Sequence, residues 1–402
     1  MIAAWRAASL GARTRLLEKN RRLGLKIHIS GGGKCNITHG GDMESVRQAF
    51  APEEGRFLRY AFRRFTNEDV LDLLRQRGVT VHTRPDGRVF PDSGRADDVV
   101  DGLEWWLREA GAAVELERPV DALCVEDGAV TGARSGGLLF PARTVLLAVG
   151  GMSYPKTGTV GEGWRWLRDT GQGLVPLRAA LAPMYLGVGV RPEYSGVAFR
   201  ECVLKARAGG KELARWRGDL LFTHQGISGP CALGISRAVA LAMEKGEVTL
   251  EVDIVPDQPH EMLGTRLAEA HGVEGRKLVR TLLSEWLPER LIPEALERAG
   301  VDPATALHQL PRKNRNRLVE VLKRWELGPA RAVPLERGEV TAGGVPLEDV
   351  DPFTMASRHL KNLYLAGEIL DIAGPVGGYN LQAAFATGYV AGEAMAKAAL
   401  EG

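Results

Sequence analysis

The sequence predicts an α/β fold in which one sheet domain is interrupted by an insertion, and three stretches carry that prediction. In the first, an apolar strand over 363–366 stops on Gly367 and Glu368, and the glycine-rich turn 374–378 opens an Ala-rich helix over 381–396. In the second, Ala3, Ala4, Ala7 and Ala8 recur at helical spacing, Gly11 ends the helix, and 14–18 reads as a short strand closing on Glu18. In the third, a buried-looking strand over 144–148 runs into Gly150 and Gly151, and the same strand-and-glycine style returns only at 339–345. Between about 178 and 335 the pattern changes to irregular short strands and then to helices, as an insertion would. The strand at 363 needs a parallel partner, and 145–148 is the best buried strand available to it.

Each glycine turn has a physical use. Backbone N–H groups at a helix start are unpaired and can hold an electron-rich ligand edge, while an acid at a strand end accepts from a sugar-like hydroxyl. An ordinary βα turn has the same pattern, so the weight lies in several such turns occurring in one chain. In a dinucleotide-binding fold an acid about 20 residues beyond a G-x-G-x-x-G turn holds the adenosine ribose, and Glu18 stands in that place. The strand and phosphate loop that would come first are not in the sequence, which starts at Met1 inside the helix. The expectation is that the chain as given holds a dinucleotide weakly, and that a strand and glycine turn supplied upstream would restore binding.

The remaining elements follow in order. Residues 26–36 read as a short strand-like run followed by Gly31, Gly32 and Gly33, a backbone path clear of side chains that suits a flat ring or a pyrophosphate. A hairpin tip would look alike. A helical pattern covers 53–78, Asp86-Gly87 centres a hairpin, and Ser93 caps a helix that turns Ala96, Val99, Val100, Leu103, Trp106, Leu107 and Ala110 to one side. Short strands over 114–140 make a small meander. The loop 150–158 after a central parallel strand lies where open α/β sheets bind ligands, and it carries Ser153, Tyr154, Lys156 and Thr157 as donors.

Composition narrows the function. At 402 residues, 45% apolar and 25% charged, the chain has the make-up of a globular protein of two or three domains, and nothing in it demands a membrane. Lys and Arg number 52 against 50 Asp and Glu, so nucleic acid is disfavoured as a partner, and Arg312, Lys313, Arg315 and Arg317 read as a solvated helix face. The four cysteines, Cys35, Cys124, Cys202 and Cys231, form no C-x-x-C pair, so no metal site is expected and a reducing cytoplasm fits.

Taken together, the runs 26–36, 86–98, 150–158, 223–230, 340–345 and 363–382 resemble the YhiN-type flavoprotein family (aminoacetone oxidase-like, BaiN-like) over essentially the whole chain. The resemblance implies a glutathione-reductase-type FAD-binding Rossmann domain interrupted by a β-rich and a helical insert domain. The boundaries it suggests are 1–180, 181–257, 258–335 and 336–402. It implies FAD, with Glu18 at the adenosine ribose and Ser30, Gly31, Gly32, Gly33, Cys35 and Asn36 along the flavin; Lys19 and Lys26 are further cofactor-binding candidates. Val120 would touch the adenine by its backbone, Gly150 and Gly151 the dinucleotide, and Gly367 and Glu368 the ribityl and pyrophosphate. Gly378, Tyr379, Asn380 and Leu381 would meet the pyrimidine edge of the isoalloxazine.

No second strand-linked G-x-G-x-x-G occurs, so reducing equivalents come from the substrate or from NAD(P)H docking transiently on the flavin. Ser153, Tyr154, His224 and Asn380 are the candidate catalytic groups, with His224 expected to face the others from the inserted part; a satisfied loop histidine would read the same way. Three readings stay open. The first is an oxidoreductase acting on a small organic molecule by amine oxidation or C=C reduction; the others are an RNA-directed flavoenzyme and a flavin-poor remnant.

Overall fold

A computed structural model describes residues 1–401, and the chain divides into two compact units, 1–177 with 340–402, and 178–339. No described helix is long and apolar enough to cross a membrane.

In the first unit the strand Leu363–Leu365 pairs in parallel with Val145–Leu147, Leu363 opposite Val145, joining two stretches more than two hundred residues apart in sequence. The strand Arg15–Leu17, which ends at Glu18, pairs in parallel with Ala113–Glu115. In the doubly wound order a further parallel strand stands between the acid-bearing strand and the C-terminal half. Among the described residues no strand takes that part, and the sheet is present as two parallel pairs. Two antiparallel sheets flank them, one built on the hairpin Val81–Thr83 and Arg88–Pro91, the other the meander from Ala122 to Pro141.

Three local expectations are corrected. The run 26–29 is not a strand but the short helix Leu25–Ile29, in which Ile27 is the buried residue. The helical stretch 53–78 is two helices, Pro52–Arg64 and Asn67–Arg75, because Thr66 accepts from the Asp69 N–H and caps the second. The helix after Asp92 is capped at Arg95, with no side-chain cap bond.

The long helix Tyr379–Glu401 organises this unit. Its Gly392 lets the helix Ile2–Ser9 lie directly against it, since a Cβ there would stand 2.4 Å from the Ala3 carbonyl oxygen. Buried Gln382 locks its first turn, accepting from Thr38 Oγ1 at 2.8 Å and donating to the Phe65 carbonyl at 3.1 Å. Near its far end Glu393 binds Arg6, and Arg64 at 2.7 Å, tying three helices together.

The second unit is a closed six-stranded barrel in the order Met184–Leu186, Gly226–Ser228, Lys211–Phe222, Ala198–Ala208, Val248–Asp253, Trp325–Ala332. The stretch 325–332, which falls inside the expected helical domain, is therefore the strand that closes the barrel. The helices from His260 to Lys323 share one apolar core with the barrel, so 181–257 and 258–335 do not stand as separate cores. The reason is local: Trp325 and Leu327 alternate inward with period two after the helix ends at Lys323.

Burial alone would raise the Glu393 carboxyl, but donation from Arg64 and Arg6 outweighs it and holds the group below its ordinary value of 4.5. Glu393→Gln should cost roughly 1 kcal/mol at neutral pH after solvent screening. That contribution is present above the unfolded value and lost as pH falls through the folded one. Denaturation midpoints of the two proteins should thus converge on the acid side; a gap independent of pH would assign the loss to packing.

Candidate functional site

Glu368 stands at the start of a short 3-10 turn, immediately past the parallel strand, and gathers three separate segments. Its Oε1 accepts the Thr341 N–H at 2.8 Å and the Ser153 hydroxyl at 3.0 Å. Thr341 Oγ1 in turn accepts the N–H groups of Met152 and Ser153, at 2.9 and 3.1 Å. Lys26 Nζ donates to Ser153 Oγ at 2.9 Å and stands 3.7 Å from Glu368 Oε2. Ser153 and Thr341 are fully buried. Gly151 is required here, because a Cβ would fall 2.4 Å from both Glu368 Oε1 and Thr341 Oγ1; Gly150, its half-buried neighbour, has a left-handed backbone.

A second junction lies at the start of the long helix. Asn36, oriented by its surroundings, accepts the Gly378 N–H at 2.9 Å and donates to the carbonyls of Thr38 and Val89. His39 stacks on Tyr379 with ring centres 4.5 Å apart and keeps Nδ1 3.1 Å from the Gly377 carbonyl. The Asn380 amide is taken up by its own turn, accepting from Gly374 N–H at 2.8 Å and donating to the carbonyls of Gly374 and Pro375. The Tyr379 hydroxyl has no protein partner among the described residues, and burial raises its pKa. Leu381 is half-buried, and Gly367 donates its N–H to Thr387 Oγ1.

The third junction is at Glu18. Its Oε1 accepts the Asn20 N–H at 2.8 Å and the Asn20 amide at 2.7 Å, while Oε2 meets no protein donor among the described residues. Asn20 donates on to the Thr157 carbonyl, and Lys19 pairs with Glu162. Burial raises the Glu162 carboxyl, but Lys19 together with the backbone N–H groups of Glu162 and Val160 outweighs it and keeps the group below 4.5. The backbone N–H groups of Glu117 and Arg118 bond the Asn20 and Glu18 carbonyls, which brings the segment leading to Val120 alongside. Burial lowers the Met1 α-amino group to about 6 against the attraction of Glu18.

Thus the structure joins Lys26, Ser153 and Glu368 in one cluster, Asn36, Gly378 and Tyr379 in a second, and Glu18 and Lys19 in a third, with Val120 two residues beyond the segment bonded to it. Ser30, Gly31, Gly32 and Gly33 form one 3-10 turn in which Gly31 and Gly32 are left-handed, and a Cβ on Gly32 would meet nothing within 4 Å. Cys35, also left-handed at φ 60°, is fully buried, and burial pushes its thiol up to about 12. Tyr154 and Lys156 are exposed on the 150–158 loop, Tyr154 with φ 53°. His224 belongs to the second unit, exposed on the turn between two barrel strands. Thr341, Asn20, Glu162 and His39 were not singled out from sequence. Thr341 lies in the strand-and-glycine run 339–345, and the other three carry no local signal.

The arrangement fits a dinucleotide. Glu18 keeps one carboxylate oxygen open, Gly32 presents bare backbone to open space, and Asn36, just past that turn, bonds Gly378 at the start of the long helix. Gly151→Ala should cost roughly 1–3 kcal/mol by driving a methyl group into Glu368 and Thr341. An unchanged denaturant midpoint would mean that the loop can relax away.

Comparison with known proteins places the fold. A family model described as the HI0933-like protein Rossmann domain matches residues 1–394. The chain is 30% identical over 392 residues to the ribosomal RNA dihydrouridine synthase of Escherichia coli, covering 97% of this chain and 93% of that protein. It is 31% identical over 388 residues to the 3-dehydro-bile acid delta(4,6)-reductase of Clostridium scindens, covering 95% and 92%. Among solved structures, the 3-ketosteroid delta1-dehydrogenase from Sterolibacterium denitrificans aligns with a TM-score of 0.51 at 14% identity, over 98% of this chain and 97% of that one. An Escherichia coli quinol fumarate reductase aligns with a TM-score of 0.52 at 17% identity, over 99% and 69%. At these identities the two structures speak for the fold alone. The chain belongs to the HI0933-like Rossmann family, the YhiN- and BaiN-like FAD-dependent flavoproteins.

Proposed function

We propose that this chain is an FAD-dependent oxidoreductase that saturates a carbon–carbon double bond conjugated to a carbonyl group. The observation that carries the reading is the convergence of Lys26, Ser153 and Glu368 in one bonded cluster, with Glu18 left able to accept from a ribose hydroxyl. The relatives' names supply the bond type. Dihydrouridine is uridine with its ring C=C, conjugated to a carbonyl, reduced; a delta(4,6)-reductase of a 3-dehydro steroid likewise works on double bonds in line with a ketone. Bound, FAD supplies the hydride chemistry.

The protein's own part is to hold and to move protons. Glu18 and Lys19 would orient the adenosine end, Glu368 the ribityl chain, and the 377–381 turn the pyrimidine edge. Ser153 is saturated between Lys26 and Glu368 and Asn380 within its turn, so both act best as positioning groups. Tyr379 keeps a free, hard-to-ionise hydroxyl, the right state for handing a proton to the substrate carbon. Cytoplasmic location and NAD(P)H as the reductant belong to the same proposal.

A second reading places the double bond in a uracil of RNA. Arg312 and Lys313 stand exposed in the first turn of the helix Arg312–Lys323, which has no acid there. Neither has an ion-pair partner among the described residues. Cations at the positive end of a helix are unfavourable unless a polyanion meets them.

Two measurements test the proposal. Glu18→Ala should weaken FAD binding by roughly 1.5–3 kcal/mol, the worth of a hydrogen bond to a charged group; equal affinities in a flavin titration would remove Glu18 from the site. Anaerobically reduced, FAD-loaded protein should be reoxidised by a steroidal 4-en-3-one and not by an isolated alkene. Reoxidation by uridine-containing RNA alone would select the second reading, and flavin reduction by an amine would overturn both.

A further inference from the structure

The barrel unit holds a feature that the flavin site does not use. Cys202, on the strand Ala198–Ala208, and Cys231, in the first turn of the helix Pro230–Met243, are both fully buried with their sulfur atoms 4.0 Å apart. Both converge on a single carbonyl, that of Gly218, at 3.3 Å from Cys202 Sγ and 3.1 Å from Cys231 Sγ. Cys231 Sγ also lies 3.3 Å from the Trp216 carbonyl. The strand is irregular here: its register against 211–222 shifts between Phe199 and Cys202, and Glu201 takes φ 46°. Such a bulge gives the Cys202 backbone room to turn its sulfur. Cys35 and Cys124 are free as well, but neither makes a sulfur–sulfur contact among the described residues.

We propose that Cys202 and Cys231 are a redox modification site, a dithiol that a hydroperoxide converts to a disulfide fastening the barrel strand to the helix. Cys231 is the attacking sulfur, because it alone of the pair stands in the first turn of a fourteen-residue helix, where a thiolate is favoured. The Cys231 thiolate takes one oxygen from hydrogen peroxide and becomes a sulfenic acid, and the other oxygen leaves as water after protonation. Cys202 sulfur then attacks the Cys231 sulfur, the S–S bond forms, and the sulfenic oxygen leaves as a second water. In sum, two thiols and one peroxide give one disulfide and two waters, with sulfur oxidised and the peroxide oxygens reduced.

The test uses the full chain, reduced and freed of reductant, then exposed to hydrogen peroxide, unfolded in denaturant and alkylated. Four reactive thiols should fall to two, with a mass loss of two hydrogens and a protease fragment joining Cys202 to Cys231. The bridge would close 29 residues, so the oxidised chain should melt roughly 5 °C or more above the reduced one. Cys231→Ala should abolish both the bridge and the shift. Four thiols surviving, a bridge to Cys35 or Cys124, or oxidation of Cys231 that stops at the sulfinic acid would each overturn the proposal; peptide mapping of the unsubstituted chain reads these outcomes even if the variant fails to fold.

Discussion

The first unit depends on a carboxylate at the end of a strand. Glu368 is the point at which the 340–344 strand, the 150–158 loop and the 25–29 helix are joined, and none of the three is near another in sequence. The two hydrogen bonds to its Oε1 are the stronger hold, each worth about 1.5–3 kcal/mol for a charged acceptor. The Lys26 contact at 3.7 Å between partly exposed groups adds under about 1 kcal/mol. Thr341 and Ser153 therefore set where the carboxylate sits. Lys26 sets the local charge, so that a half-buried acid is balanced when no ligand is near.

That division explains why the site is built from backbone as much as from side chains. Gly151 leaves space for the carboxylate and for the Thr341 hydroxyl, and the hydroxyl then binds two successive N–H groups of the loop. At the helix start the same economy recurs: Asn36 satisfies the Gly378 N–H, and Asn380 closes its own turn. Those side chains are committed to fixing backbone, whereas Tyr379, stacked on His39, has no hydrogen-bond partner for its hydroxyl among the described residues.

How much of this was legible in the sequence can be judged element by element. The pairing of 363–365 with 145–147 followed from two apolar runs with the composition of buried parallel strands, since each needed a partner and no other run of that kind was free. Glycine turns flagged the loops because Gly31, Gly151 and Gly378 stand where a Cβ would strike its neighbours, and Gly32 takes a left-handed backbone. Thr341, Asn20 and His39 were invisible, because their roles come from long-range contacts that leave no periodicity behind. The run 26–29 was misread because four residues with two apolar positions satisfy either period, and packing of Ile27 decided for a helix. The break at Thr66 lay in plain sight as a capping box, yet a continuous apolar face on both sides hid it.

The second unit shows a different constraint. A barrel has no free edge only if its last strand returns to its first, and here that strand, 325–332, comes after four helices rather than beside its neighbours in sequence. The helices between 260 and 323 lie between the fifth and sixth barrel strands in the chain and share one apolar core with the barrel. The composition boundary near 257 marks a change from strands to helices inside one compact unit, 178–339, whose two parts share a core.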